Sequence, residues 1–165
     1  MYKDISLNVS VSEFCSLGCS HCFLGDDRRK KNLIDFELLD NLFISLSKNF
    51  ERIQINWGGG ELSLLGKDIF RKIVNTHAFK DKKFYNKLYS MLVPHLDKEW
   101  LELIHKFDSM QISIDSYRKR NFYTQEYLEK IRSLNLTKSI SYTPHKEDSK
   151  EFLRYCFEVA KGINA

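Results

Sequence analysis

Residues 5–23 read Ile5-Ser6-Leu7-Asn8-Val9-Ser10-Val11-Ser12-Glu13-Phe14-Cys15-Ser16-Leu17-Gly18-Cys19-Ser20-His21-Cys22-Phe23. Ile5, Leu7, Val9 and Val11 alternate with Ser6, Asn8, Ser10 and Ser12, and this period of two predicts a strand with one apolar and one polar face. The strand runs directly into three cysteines at spacings of four and three. Three soft thiolates on one short loop can hold an iron–sulfur cluster or a zinc ion. In a four-iron cluster, three thiolates leave one iron without a protein ligand, and that iron can take a small molecule instead.

The same alternation recurs along the chain, with helical patterns between the strands. Ile53, Ile55 and Trp57 alternate with Gln54 and Asn56 in a second strand that ends at Gly58–Gly59–Gly60–Glu61. Leu88–Val93 reads as a third strand stopping at Pro94; Met110, Ile112 and Ile114 mark a fourth, and Ile140 and Tyr142 a fifth ending near Pro144. Asp35 reads as the N-cap of a helix carrying Leu38, Leu39, Leu42, Phe43 and Leu46. Ile69, Ile73 and Val74 mark a second helix, and Asp97 caps a third with Trp100, Leu101 and Ile104. Leu128, Ile131 and Leu134 mark a fourth. Ser149 caps the last, which carries Phe152, Leu153, Cys156 and Val159 and has Gly162 at its C-cap position. Five strand–helix pairs predict an α/β fold with a parallel sheet and right-handed crossovers.

Buried parallel strands usually read as unbroken apolar runs, because helices cover both faces. Here the second face is small and polar. It carries Asn8, Ser10 and Ser12, then Gln54 and Asn56, then Gln111, Ser113 and Asp115, and finally Ser139, Ser141 and Thr143. A closed eight-stranded barrel fills its interior with branched apolar side chains. The expectation is therefore an open, partial TIM-like (β/α) barrel of about five units, with helices outside and a polar cavity inside. Ligands in such folds sit at the carboxyl ends of the strands. The cysteines, Gly58–Glu61 and Ser113–Asp115 all fall at such ends.

Bulk properties agree. The 165 residues, 42% hydrophobic and 29% charged, fit one globular domain over 1–165 with a real core. Two prolines and seven glycines argue against linkers. No apolar run reaches the length of a membrane span, and Met1–Asp4 lacks a signal-peptide pattern, so the expected location is cytoplasmic, with no membrane partner. Three of the four cysteines lie within eight residues, which favours a metal site over disulfides; Cys156, on an apolar helix face, reads as core. The net charge of +4 is concentrated in Arg28–Lys31 and Arg118–Arg120, both read as solvated loops. A nucleic-acid partner is disfavoured, since only Tyr117, Phe122 and Tyr123 flank such a run. The five histidines show no ligand spacing.

The spacing C-x-x-x-C-x-x-C resembles the signature of the radical S-adenosylmethionine (radical SAM) enzymes, with His21 and Phe23 where that family often has histidine or aromatic residues. Trp57–Leu62 resembles the family's G-G-E motif, and Ile112–Ser116 its S-x-D segment. The resemblance spans nearly the whole chain, in the family's order. It implies that Cys15, Cys19 and Cys22 hold a 4Fe–4S cluster whose open iron binds the amino and carboxylate groups of S-adenosylmethionine. In that family an electron from the reduced cluster breaks a carbon–sulfur bond and yields the 5′-deoxyadenosyl radical. Gly58, Gly59, Gly60 and Glu61 are then cofactor-binding: the glycines let the backbone approach the methionyl end, and their carbonyls or Glu61 receive its ammonium group. Ser113 and Asp115 offer a hydroxyl and a carboxylate near the methionyl carboxylate or the ribose. Asn8, Ser10, Asn56 and Ser141 are lesser candidates for lining the cavity. An external electron donor of flavodoxin or ferredoxin type is implied. The motif wording points to a peptide or protein substrate, with an activase of a glycyl-radical enzyme as the alternative.

Two departures stand out. Many relatives carry T-N-G at the end of strand three, where this chain is expected to read Met91–Leu92–Val93. The family core has six strand–helix units, and this chain stops at Gly162–Ala165, where a sixth strand would begin. It therefore reads as a short or truncated member, without auxiliary cysteine clusters, whose wider lateral opening suits a large substrate. Two other readings remain: a catalytically impaired binding module, and a structural zinc protein with the three cysteines and a histidine as ligands.

Overall fold

Strands and helices alternate from end to end: β1 (Tyr2–Ser12), α1 (Phe36–Asn49), β2 (Phe50–Gly59), α2 (Lys67–Val74), β3 (Phe84–Tyr89), α3 (Lys98–Ile104), β4 (Ser109–Ile114), α4 (Gln125–Ser133), β5 (Thr137–Tyr142) and α5 (Lys150–Gly162). The computed structural model describes residues 2–19, 22, 24–93, 96–114, 123–142 and 150–163. All five strands are parallel, in the spatial order β1-β2-β3-β4-β5, so the sheet follows the chain and is not closed. This is the expected open α/β architecture.

Caps set the helix starts. The Asp35 carboxylate accepts from the Glu37 and Leu38 N–H groups, and Asp97 accepts from Trp100 N–H. Thr124 does the same for α4 through Tyr127 N–H. On α1 only Leu39 and Phe43 are buried, while Leu38 (68% exposed) and Leu42 (44%) face outward. The leucine-rich pattern alone does not separate the two faces.

One face of the sheet packs the core. Ile53, Ile55 and Trp57 of β2, Phe84 and Leu88 of β3, and Met110, Ile112 and Ile114 of β4 are all buried in one cluster with Phe43, Phe70, Ile73 and Ile131. Phe43 meets both Trp57 and Phe84 edge-on at 5.6 Å between centroids, a favourable quadrupole arrangement. A single amide interrupts this apolar face. Asn86 lies between Phe84 and Leu88, 3% exposed. Its Oδ1 accepts from Trp57 Nε1 at 2.9 Å, its Nδ2 donates to Ala78 O at 2.7 Å, and its N–H donates to Asp108 at 2.6 Å.

Asn86 also explains why strand three is misplaced in the sequence reading. The observed β3 is Phe84–Tyr89, not Leu88–Val93. A buried asparagine breaks the apolar pattern of the true strand, while Met91, Leu92 and Val93 continue it beyond the sheet. Two smaller corrections follow. The register shifts between Ser10 and Ser12, so Ser12 turns inward (4% exposed) and its Oγ accepts from Phe14 N–H, instead of extending the polar face. Gly162 is the last residue of α5 and does not adopt a left-handed cap. Asp115, Thr143, Pro144, Ser149, His21 and the 118–120 basic run lie outside the described residues. Among those described, no helix is long and apolar enough to cross a membrane.

Replacing Asn86 with alanine leaves the buried Trp57 indole N–H and the Ala78 carbonyl without partners. The expected cost is about 2–4 kcal/mol, read as a lower urea midpoint at unchanged slope.

Candidate active site

The site begins where β1 and β2 end. Gly60 N–H donates to Ser12 O at 2.7 Å and Glu61 N–H to Phe14 O at 2.9 Å, so the two strands' extensions run side by side beyond the sheet. The approach is too close for side chains. A Cβ on Gly60 would overlap Phe14 O and lie 2.6 Å from Glu13 O; one on Gly59 would overlap Ser12 O and lie 2.6 Å from Ser10 Oγ. Gly59 also has φ 117°, where a Cβ is strained. Gly58 differs, since a Cβ there would meet Tyr89 Cβ at 3.4 Å, an ordinary contact. The space at Gly59 and Gly60 is taken by the chain's own backbone, a role for these glycines that the motif did not reveal.

That seam delivers the cysteine loop. Cys15 N–H donates to Arg28 O at 2.7 Å, Cys22 N–H to Cys19 O at 3.2 Å, and Gly25 N–H to Cys22 O at 3.2 Å. Gly18, at φ 69°, makes the bend between the first two cysteines. Leu17 and Cys19 are buried against the core. The Arg28 guanidinium donates to Cys19 O at 3.4 Å, so this residue folds back onto the loop instead of standing in a solvated basic run. Cys15, Cys19 and Cys22 line one cavity of about 630 Å³ together with Gly58–Glu61, Tyr89, Gln111 and Ser113. Burial pushes the Cys15 thiol above its ordinary pKa; an N–H from Leu17 opposes this, while Glu61, Cys19 and Cys22 add to the rise. Cys156 is buried on α5 in the core cluster, as expected.

Glu61 is only 3% exposed, and its carboxylate is filled by the protein. Oε1 accepts from Ser63 N–H (3.1 Å), Ser63 Oγ (2.6 Å) and Ser90 Oγ; Oε2 accepts from Met91 N–H at 2.8 Å. Ser63 Oγ in turn accepts from Val93 N–H, and Ser90 Oγ from Leu92 N–H, each at 3.0 Å. Lys130 Nζ reaches the Leu92 carbonyl at 2.7 Å. These bonds hold Leu92 at φ 47°, the one positive φ outside glycine among the described residues. The stretch read as Met91–Leu92–Val93 thus lies beyond β3, in a segment held by these bonds.

The remaining predicted residues divide. Ser113 lines the cavity, and its carbonyl accepts from Tyr123 OH. Asn8, Ser10 and Asn56 line it too; Asn56 donates to Asn8 Oδ1 at 2.9 Å and accepts from Gln54 Nε2 at 2.8 Å. Ser141 pairs in register with Ser113 but is not among the cavity residues. Arg28, Tyr89 and Met91 line it without having been singled out as cavity residues. Three thiols lining one cavity suit a thiolate-bound iron–sulfur group. Among the described residues, no three His, Cys, Asp or Glu side chains converge closely enough for a single metal ion.

Residues 9–161 match the family model of the radical SAM superfamily. Among solved structures, native anSMEcpe with bound AdoMet and Cp18Cys peptide superposes with a TM-score of 0.61 at 18% identity, over 84% of this chain and 42% of that one. Streptococcus suis SuiB bound to precursor peptide SuiA superposes with a TM-score of 0.70 at 15% identity, over 97% of this chain and 37% of that one. The chain thus spans less than half the length of either structure. No curated protein matches it.

Two outcomes follow from the seam and from Glu61. Gly60→Ala should lower the iron retained after anaerobic reconstitution several-fold, with Gly58→Ala close to the unaltered protein, because only the first displaces Phe14. Glu61→Gln should destabilise the fold by about 2–3 kcal/mol in urea, since an amide N–H₂ must face one of four donors.

Proposed function

The chain belongs to the radical SAM superfamily, and from that premise we propose that it forms the core of an enzyme that modifies a peptide or protein. Enzymes of this superfamily use a 4Fe–4S cluster and S-adenosylmethionine. The observation that carries the reading is convergence: three thiols, the end of β2 and the open face of β4 meet in one cavity. Cys15, Cys19 and Cys22 are the proposed cluster ligands, and the group they would hold supplies the electron that cleaves S-adenosylmethionine to a 5′-deoxyadenosyl radical.

The chain's own residues supply position and shelter. Because four protein donors already fill Glu61, the cofactor's ammonium group falls to backbone carbonyls of Gly58–Gly60. Glu61 then acts by holding Met91 and Ser90 against the cavity wall. Ser113 offers a hydroxyl from β4, and Asp115 a carboxylate from the segment after it. The buried loop residue Leu17 shelters the cysteine side of the cavity. One core over the described residues supports one domain for 1–165. Peptides in both matched structures support a peptide partner here. A flavodoxin- or ferredoxin-type protein is the proposed electron source.

Anaerobic reconstitution with iron and sulfide, then dithionite and S-adenosylmethionine, should give 5′-deoxyadenosine. The protein should carry iron and sulfide in equal amounts, and Cys19→Ala should lose both the cluster absorbance and the product. Bound zinc with no 5′-deoxyadenosine would overturn the proposal.

A further inference from the structure

Below the cysteine loop the open face of the sheet forms a floor. In register across it, Asn8 pairs with Asn56, Asn56 with Lys87, and Lys87 with Ser109. Asn8, Asn56 and Tyr89 all line the cavity, and Lys87 lies beside Asn56, two residues before Tyr89 on β3. At about 3.3 Å per residue it stands about 7 Å below the Tyr89 row. Its side chain reaches back up the strand, with Nζ 5.2 Å from the centre of the Tyr89 ring. Lys87 is not itself among the cavity residues; its ammonium lies over the ring of Tyr89, which is, on the side of the floor away from the cysteines.

No carboxylate pairs with Lys87 among the described residues, whereas Arg52, Lys67, Arg71 and Lys161 each meet one. It is half-buried, and loss of water lowers its pKa with no anion to raise it again. The two carboxylates that line the cavity, Glu13 and Glu61, follow β1 and β2 at the cysteine end. The ring of Tyr89 offsets part of the lost hydration through its quadrupole but leaves the charge without a counter-ion. A cation held part-way out of water beside neutral amides is arranged to receive an anion from outside the chain.

Resting on the reading of this cavity as a cofactor and peptide site, we propose that Lys87 is the anion subsite for the second substrate and pairs with a carboxylate of the peptide. That carboxylate is either an acidic side chain near the residue to be modified or a free C-terminus; the chemistry is the same. Asn56 lies beside Lys87 on β2 and Asn8 one strand further on β1, where their amides pair with each other and leave the Lys87 ammonium as the charged group of the floor. Lys87 thereby selects acidic over neutral or basic segments.

The test uses the full chain with its cluster reconstituted and S-adenosylmethionine added. Four fluorescent eight-residue peptides are compared by anisotropy: three end-blocked and identical except for a central Glu, Gln or Lys, and the Gln peptide with a free C-terminus. At least one carboxylate-bearing peptide should bind about tenfold tighter than the blocked Gln peptide, with the Lys peptide weakest, and the two arms tell side chain from C-terminus. Lys87→Gln should erase the preference, Lys87→Arg keep it, and Lys87→Glu turn it toward the Lys peptide. Equal affinities, no binding by any peptide, or a preference that survives Lys87→Gln would each overturn the proposal. So would Lys87→Gln weakening S-adenosylmethionine while the peptide ranking stays. Should the variants fail to fold, the ranking on the unaltered protein still decides. 5′-Deoxyadenosine without a peptide preference sinks this inference alone; a preference without 5′-deoxyadenosine sinks the radical reading alone.

Discussion

The structure turns on the close approach of two backbones just past the ends of β1 and β2. Two hydrogen bonds, Gly60 N–H to Ser12 O and Glu61 N–H to Phe14 O, fix where the cysteine loop leaves the sheet. Both require residues without Cβ atoms on the β2 side. A loop rooted elsewhere would carry the same three cysteines away from the polar face of the sheet. The glycines therefore act on the thiols indirectly, by setting the origin of the segment that bears them.

A second constraint ties the next strand into the same place. The buried Glu61 carboxylate gathers donors from Ser63, Ser90 and Met91, linking the end of β2 to the end of β3. Charge-assisted bonds out of water are strong, and leaving any donor unmade is costly. The exposed ion pairs, such as Arg52 with Asp4, lie in water and are screened, so they do little to decide the fold. The strand ends are thus organised by buried hydrogen bonds, and the strained backbone at Leu92 persists because those bonds over-determine it.

The structures of anSMEcpe and SuiB share this architecture at only 18% and 15% identity. An apolar face under the helices and a polar face toward the cavity can be met by many residue combinations. The seam cannot, because two backbones within hydrogen-bonding distance admit few side chains at all. Lys87 and the amides of the floor belong to the permissive part.

The sequence by itself determined the α/β class, the parallel order of strands and helices, the open polar face and the candidate thiols. Each depends on local periodicity or on spacing along the chain, and both survive translation into structure. It placed β3 too late, because Asn86 hides within an apolar face and is satisfied only by Trp57 and Ala78, distant in sequence. It read Arg28 as solvated, because only the folded loop brings the guanidinium to Cys19 O. It offered the glycine carbonyls or Glu61 as alternatives for the cofactor's ammonium group, because no spacing rule reports that Ser90 and Met91 already occupy the Glu61 oxygens. Tertiary structure decided which polar groups are already paired within the protein and which, like Lys87 over the Tyr89 ring, meet no carboxylate among the described residues. Pairing is a property of neighbours in space, and one-dimensional pattern carries no record of it.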